Sequence, residues 1–274
     1  MHAEPKLRYR NILILLFSLA AALNAQVGLG LSPMRVELPL SAGAQQTGAL
    51  ALSSDSEGPV RIVAEALDFF VDANSNPQFS RALASEADYS CREWLALNPM
   101  EMELPHGGQV LVRYTVRVPP AAAERSYHCA VGFTTLPTAG DLQATGLKSA
   151  VRIVAAFYVV VGHPAVAGSL KELRLHYVKE GRDPGWRAEV SIQNSGLMYF
   201  RPEGQLDVLD ASGTVIESAA FIPLPVLPQR VQQFQFPLKL VQGPGPYTLR
   251  ARVDLGGDEI QEATALVTAA RPAP

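Results

Sequence analysis

Residues 148–164, KSAVRIVAAFYVVVGHP, form the longest apolar run beyond the N-terminal leader and limit what the chain can build. Val, Ile, Phe and Tyr dominate the run, and Gly146, Gly162 and Pro164 bound it, so it predicts a β-strand rather than a helix. From residue 153 to residue 161 the Tyr158 hydroxyl is the only polar side-chain group, and such a strand has no wet face. Both faces need cover, either from a second sheet and a neighbouring domain or, along one edge, from a partner chain. The charge and proline that normally blunt an exposed edge are both missing over 153–161.

With 274 residues the chain is long enough for two domains, each with its own core. An apolar fraction of 48% beside 18% charged residues excludes disorder, and 21 Pro with 21 Gly punctuate many short segments, as an all-β fold requires. Residues 1–25 differ from the rest: Lys6, Arg8 and Arg10 precede an apolar stretch over 12–22 and the cleavage site Leu23-Asn24-Ala25. That is the layout of a signal peptide, with an uncleaved anchor as the alternative, although the apolar stretch is short for a bilayer. Without Lys6, Arg8, Arg10 and Glu4 the net charge moves from −3 to −5, and no basic cluster marks a nucleic-acid partner. Export to an oxidising compartment lets disulfides persist, so Cys91 and Cys129 are expected to be bonded, free buried thiols being the alternative. Closing that loop of about 38 residues stabilises the fold by roughly 3 to 4 kcal/mol.

Period-2 alternation marks strands over 29–38, 48–54, 59–71, 109–118 and 126–135, with Pro33 suggesting an edge position. The polar stretch 72–89, with Asn74, Asn76 and Pro77, reads as a surface loop. Tyr127 stands two residues before Cys129, the spacing of a tyrosine corner at the start of strand F, which makes the 148–164 strand the seventh, G. The pattern restarts beyond Pro164 with seven more strands, over 170–178, 186–194, 205–209, 215–220, 231–240, 247–254 and 259–268. The expected fold is all-β: a signal peptide (1–25), two tandem immunoglobulin-like sandwiches (26–162 and 163–268) joined over 162–168, and a disordered tail (269–274).

Catalytic signatures are missing. Five histidines show neither a helical i,i+4 pair nor zinc spacing to a cysteine, and there is no nucleophile elbow, dinucleotide fingerprint or phosphate-binding loop. Carboxylates such as Glu101 and Glu103, or Asp254 and Asp258, sit on short strands and turns, where a solvated face explains them better than paired acid-base work. No enzyme, cofactor, metal or small-molecule substrate is expected, and function falls to strand edges, the cleft between domains and exposed anchoring charges.

Several stretches together resemble the periplasmic pilus-assembly (PapD-like) chaperones: the leader, SPMRVEL at 32–38, WLALNPMEMELPHGGQVLVRYTVRVP at 94–119, the Tyr127-x-Cys129-x-Val131 strand, and an apolar G strand ending in Pro164. The resemblance implies a periplasmic chaperone whose G strand lends alternate apolar residues to an incomplete pilin-like subunit, a form of strand addition at a sheet edge. The donors it implies are Val151, Ile153 and Ala155, with Val154 and Phe157 entering if the register slips by one. Arg35 matches the family's cleft arginine, which binds the subunit's terminal carboxylate through a planar, permanently charged guanidinium. The family's second cleft residue, a late G-strand lysine, has no counterpart near Val159.

Partners expected on this basis are pilin-like subunits and an outer-membrane usher. Without cargo, the apolar edge would be capped by a dimer or by residues 136–147. The alternative function is a structural or adhesive protein of the cell envelope that uses the same fold as a stalk.

Overall fold

Pro33 divides the N-terminal strand between two sheets. In the computed structural model, which describes residues 28–56, 58–72, 75–136, 150–180, 183–241 and 245–269, β1 (Leu29–Ser32) pairs antiparallel with β3 (Gln45–Ser54). Past Pro33, β2 (Arg35–Leu40) crosses over and pairs parallel with β10 (Arg152–Val161). The sheet of β1 and β3 continues through β8 (Gln109–Arg117) to β6 (Leu95–Asn98). The facing sheet runs β2, β10, β9 (Ser126–Leu136), β4 (Val60–Val71), β5 (Pro77–Ser80), and β7 (Glu101–Leu104) also pairs with β4. The leader over 1–25, residues 137–147 of the suggested cap, and residues 270–274 lie outside the described residues.

Alternation builds the core of this sandwich. On β8, Val112, Tyr114 and Val116 are buried while Leu111, Arg113 and Arg117 face out, as period 2 demands. Leu50, Leu52, Ile62, Val131, Phe133 and Phe157 complete the same core, all fully buried. Its lid at one end is a tyrosine corner, in which the Tyr127 hydroxyl donates to the Ala123 carbonyl at 3.1 Å. Cys91 and Cys129 are bonded, with Cα atoms 5.2 Å apart, and both side chains are fully buried.

A second sandwich follows, of β11 (Gly168–Val178), β12 (Gly185–Asn194) and β15 (Val231–Leu238) against β14 (Val215–Ala220), β13 (Glu203–Leu209), β16 (Gly245–Asp254) and β17 (Ile260–Ala269). Its core gathers Trp186, Val190, Ile192, Leu206, Phe234, Phe236, Leu249 and Val253. Strand β17 runs one residue into the expected tail: Ala269 pairs with Gly245 and is fully buried. The architecture is thus all-β, two immunoglobulin-like sandwiches in tandem.

The joint between them corrects two expectations. The connection opens at Gly162, whose φ of +71° suits glycine and whose Cβ would strike Glu124. The same Glu124 carboxylate accepts from the His163 amide at 2.7 Å, so the connection is tied down. The stretch 72–89, however, is no free surface loop. It carries β5 and a 3-10 turn (Ala84–Tyr89), and it straps the first sandwich to the second. The Ser75 hydroxyl donates to the Gln233 carbonyl on β15 at 2.7 Å, and the Gln232 amide reaches Ser75 Oγ at 2.9 Å and the Asp72 carbonyl at 3.2 Å. Turn-type composition misled the sequence reading because these polar groups satisfy a partner domain rather than water.

The second correction concerns β10. The apolar run suggested an edge throughout 151–161, but β10 pairs with β9 from Arg152 to Val160 and with β2 from Ala156 to Val161. The sheet-switching N-terminal strand therefore covers its second half. Replacing Cys91 and Cys129 by alanine should lower the unfolding free energy by about 2 to 5 kcal/mol, read as a reduced urea midpoint with a steeper slope as the unlinked denatured chain expands.

Candidate functional site

β10 presents different side chains to different neighbours. Its odd positions Ala155, Phe157, Val159 and Val161, with half-buried Ile153, point into the first sandwich. Its even positions Val154, Ala156, Tyr158 and Val160 pack outward with Leu67, Phe69 and Ala130 against Met198, Tyr199 and Leu227 of the second sandwich. Sandwich core and domain joint thus supply the cover that the apolar run demanded on both faces.

The hydrogen-bonding edge is covered only in part. Val151 and Val161 use their backbone on the β9 side, accepting from Thr135 N–H and donating to the Arg125 carbonyl respectively. Ala156 and Gly162 donate the other way, to Met34 and Leu40. Even-numbered backbone groups therefore face β2, and β2 starts only at Arg35, level with Ala156. Among the described residues no strand pairs with that side of Arg152 and Val154. The Arg152 side chain braces this half-free segment, donating to Thr134 Oγ1 and to the Glu65 carboxylate, each at 2.9 Å.

The implied donors divide accordingly. Val151, Ile153 and Ala155 lie on the half of the strand with an open edge, although the Ala155 side chain is already fully buried. Phe157 does not belong with them. It is fully buried, stands in register with Val36 of β2, and meets the Tyr114 ring edge-on at 4.9 Å, so it is a core residue of the first sandwich. Cys91 and Cys129 lie in that core too, away from the edge.

Arg35 marks the point where the open edge ends. Its side chain is 55% exposed, and its Nε is 3.4 Å from the Glu37 carboxylate. From the second sandwich, Arg201 donates to the same Glu37 oxygen at 2.8 Å, and its guanidinium lies 4.6 Å from the Tyr158 ring centre and 5.1 Å from that of Tyr199. The two tyrosine rings are themselves 4.6 Å apart. Two guanidiniums thus share one carboxylate oxygen where the open edge ends. Burial pushes the Tyr158 phenol up to about 12, with the Arg201 charge opposing it only in part, and burial likewise raises Tyr199.

Sequence reasoning missed Arg201. No cation stands near Val159, whose side chain is fully buried toward the sandwich core, while Arg201 of the second domain meets the same Glu37 carboxylate as Arg35. The local signal of Arg201 is Tyr199 two residues before it, since the Arg201 guanidinium lies over that ring as well as over Tyr158. Nor did the sequence reveal Glu86 and His128, buried in the first sandwich, or Arg230, which meets Glu86 from the second.

No family model and no curated protein matches the chain. It is similar to solved fimbrial chaperones. The class 5 fimbriae chaperone CfaA is 13% identical, covering 89% of this chain and 100% of its own, with a TM-score of 0.44. A chain of the Salmonella enterica complex of SafA pilin with the SafB chaperone is 16% identical over 89% of this chain and 98% of its own, with a TM-score of 0.44. The CupB2 chaperone of Pseudomonas aeruginosa is 14% identical over 85% and 98%, with a TM-score of 0.41.

A phenol whose folded pKa is raised contributes stability that is complete below its ordinary value of 10.0 and is lost as pH climbs toward about 12. Alkaline unfolding followed by near-ultraviolet circular dichroism should therefore begin above pH 10, and Tyr158→Phe should shift its onset upward.

Proposed function

We propose that the protein is a periplasmic chaperone that holds incomplete, pilin-like sandwich subunits by lending them the first half of β10, before an outer-membrane usher receives them. The observation that carries this reading is an open strand edge that ends at a cationic cleft. A partner strand laid along Arg152–Ala155, parallel to β10 and in line with β2, would run until β2 blocks it at Met34 and Arg35. Its C-terminal carboxylate would then arrive where the guanidiniums of Arg35 and Arg201 outnumber the Glu37 carboxylate. Backbone pairing supplies affinity in such strand addition, and the partly exposed Val151 and Ile153 supply the side chains that fill the subunit's groove, the Ala155 side chain being committed to the first core. No cofactor or nucleotide enters this scheme.

The stalk reading draws on one observation, the pairing of β10 on both sides from Ala156 onward, which limits what the strand can donate. Co-expression with an incomplete, pilin-like sandwich subunit separates the two readings. Under strand lending, Ile153→Asp abolishes the purified complex while leaving the chaperone folded, because Ile153 is only half-buried. Arg35→Ala weakens the complex by roughly tenfold or more, the worth of a charge-assisted hydrogen bond. Wild-type complex formation by both variants contradicts the proposal.

A further inference from the structure

The strap over 72–89 ends in a buried ionic cluster that ties both sandwiches to one carboxylate. Glu86, 2% exposed, faces His128 Nε2 of β9 at 3.1 Å through Oε2. Its Oε1 accepts from the Ser85 hydroxyl at 3.0 Å and from the guanidinium of Arg230, which belongs to the second sandwich. Arg230 is well placed for this: its backbone carbonyl accepts from Asn194 N–H at 2.8 Å, and its guanidinium lies over the Phe70 ring at 5.6 Å. His128 Nδ1 is buried with no hydrogen-bond partner, so Glu86 is that ring's only hydrogen-bonding tie among the described residues.

We propose that Glu86 is a proton-operated clamp between the two sandwiches: ionised, it holds His128 of the first and Arg230 of the second; protonated, it releases Arg230 and lets the domains move about the joint. The rest of the interface is the apolar cluster around Tyr158, Tyr199 and Leu227, hydrogen bonds from Ser75, Gln232 and Ser126, and the partly exposed Arg201 to Glu37 pair, so Glu86 is the buried charge in it whose state changes with pH. Protonation removes the charge that Arg230 pairs with and leaves the carboxyl a weaker acceptor. Asp68 faces the cluster from β4, bound by Ser90 Oγ and Leu83 N–H and 3.9 Å from Arg92 Nε. Tyr89 stacks near His128 with Arg125 over its ring, and Tyr158 of β10 meets Phe69, which in turn packs on His128. None of these bridges the domains through a buried charge. Among the described residues the other cross-domain ion pair, Arg201 with Glu37, leaves its carboxylate 44% exposed.

The sign is set by opposing effects. Burial pushes the Glu86 carboxyl up, but the His128 hydrogen bond and charge, the Ser85 hydroxyl and the Arg230 guanidinium outweigh it and hold it below its ordinary value of 4.5. Its contribution to docking is complete above 4.5 and disappears as pH falls through the lowered value.

Small-angle X-ray scattering of the protein between pH 7.5 and 3, with near-ultraviolet circular dichroism on the same samples, tests the clamp. In the wild type the radius of gyration should rise by roughly 1–2 Å at acid pH while the dichroism of the folded sandwiches persists, as freed domains require. Glu86→Gln should be expanded already at pH 7.5 and insensitive to acid, and so should Arg230→Met, which alters no residue of the first sandwich. Glu37→Gln should keep the wild-type transition. A wild-type radius constant until the dichroism collapses, compact Glu86→Gln and Arg230→Met proteins at pH 7.5, or loss of the transition in Glu37→Gln overturns the proposal.

Discussion

The parallel pairing of β2 with the second half of β10 is the constraint on which the rest depends. It keeps the most apolar strand of the described chain from lying open along its whole length. It also orients β10 so that its odd side chains fill the first core and its even side chains meet the second domain. Because β2 can start only after the chain has left β1 at Pro33, four residues of β10 keep an open edge beside Arg35. Covering the strand partly, rather than wholly, combines a stable sandwich with a place for another strand to add.

Much of this was legible in the sequence. The strand found over 152–161 within the apolar run, the alternation of Val112, Tyr114 and Val116, the Tyr127 corner and the Cys91 to Cys129 bond all follow from period, spacing and compartment, which are local or compositional signals. What stayed hidden was relational. The apolar run showed that β10 needs cover without saying that β2 would supply half of it, and so Phe157 passed for a donor although it is a core residue. The strap over 72–89 looked like a loop because its polar groups are spaced for turns, and nothing in the sequence shows that Ser75 and Glu86 would meet Gln233 and Arg230 some 150 positions away. Arg201, which pairs with Glu37 across the joint, carries no signal that the strand pattern could show.

Cleft and strap have different physical characters. At the cleft, partly exposed guanidiniums share one carboxylate, an arrangement worth little to stability and open to an incoming anion. Under the strap, Glu86 is enclosed and fully committed to partners, where losing any one of them leaves a buried group unsatisfied. The first arrangement suits binding and the second suits holding the domains at the angle that keeps Arg201 beside Arg35.

Amide hydrogen exchange resolved at single residues tests the open edge of β10 most directly. In the free protein the amides of Arg152 and Val154 should exchange rapidly while that of Ala156, bonded to Met34, exchanges slowly. In a complex with an incomplete-sandwich subunit of the kind proposed, Arg152 and Val154 should become as protected as Ala156. Protection of Arg152 and Val154 already in the free protein, or no gain of protection in such a complex, would contradict the account.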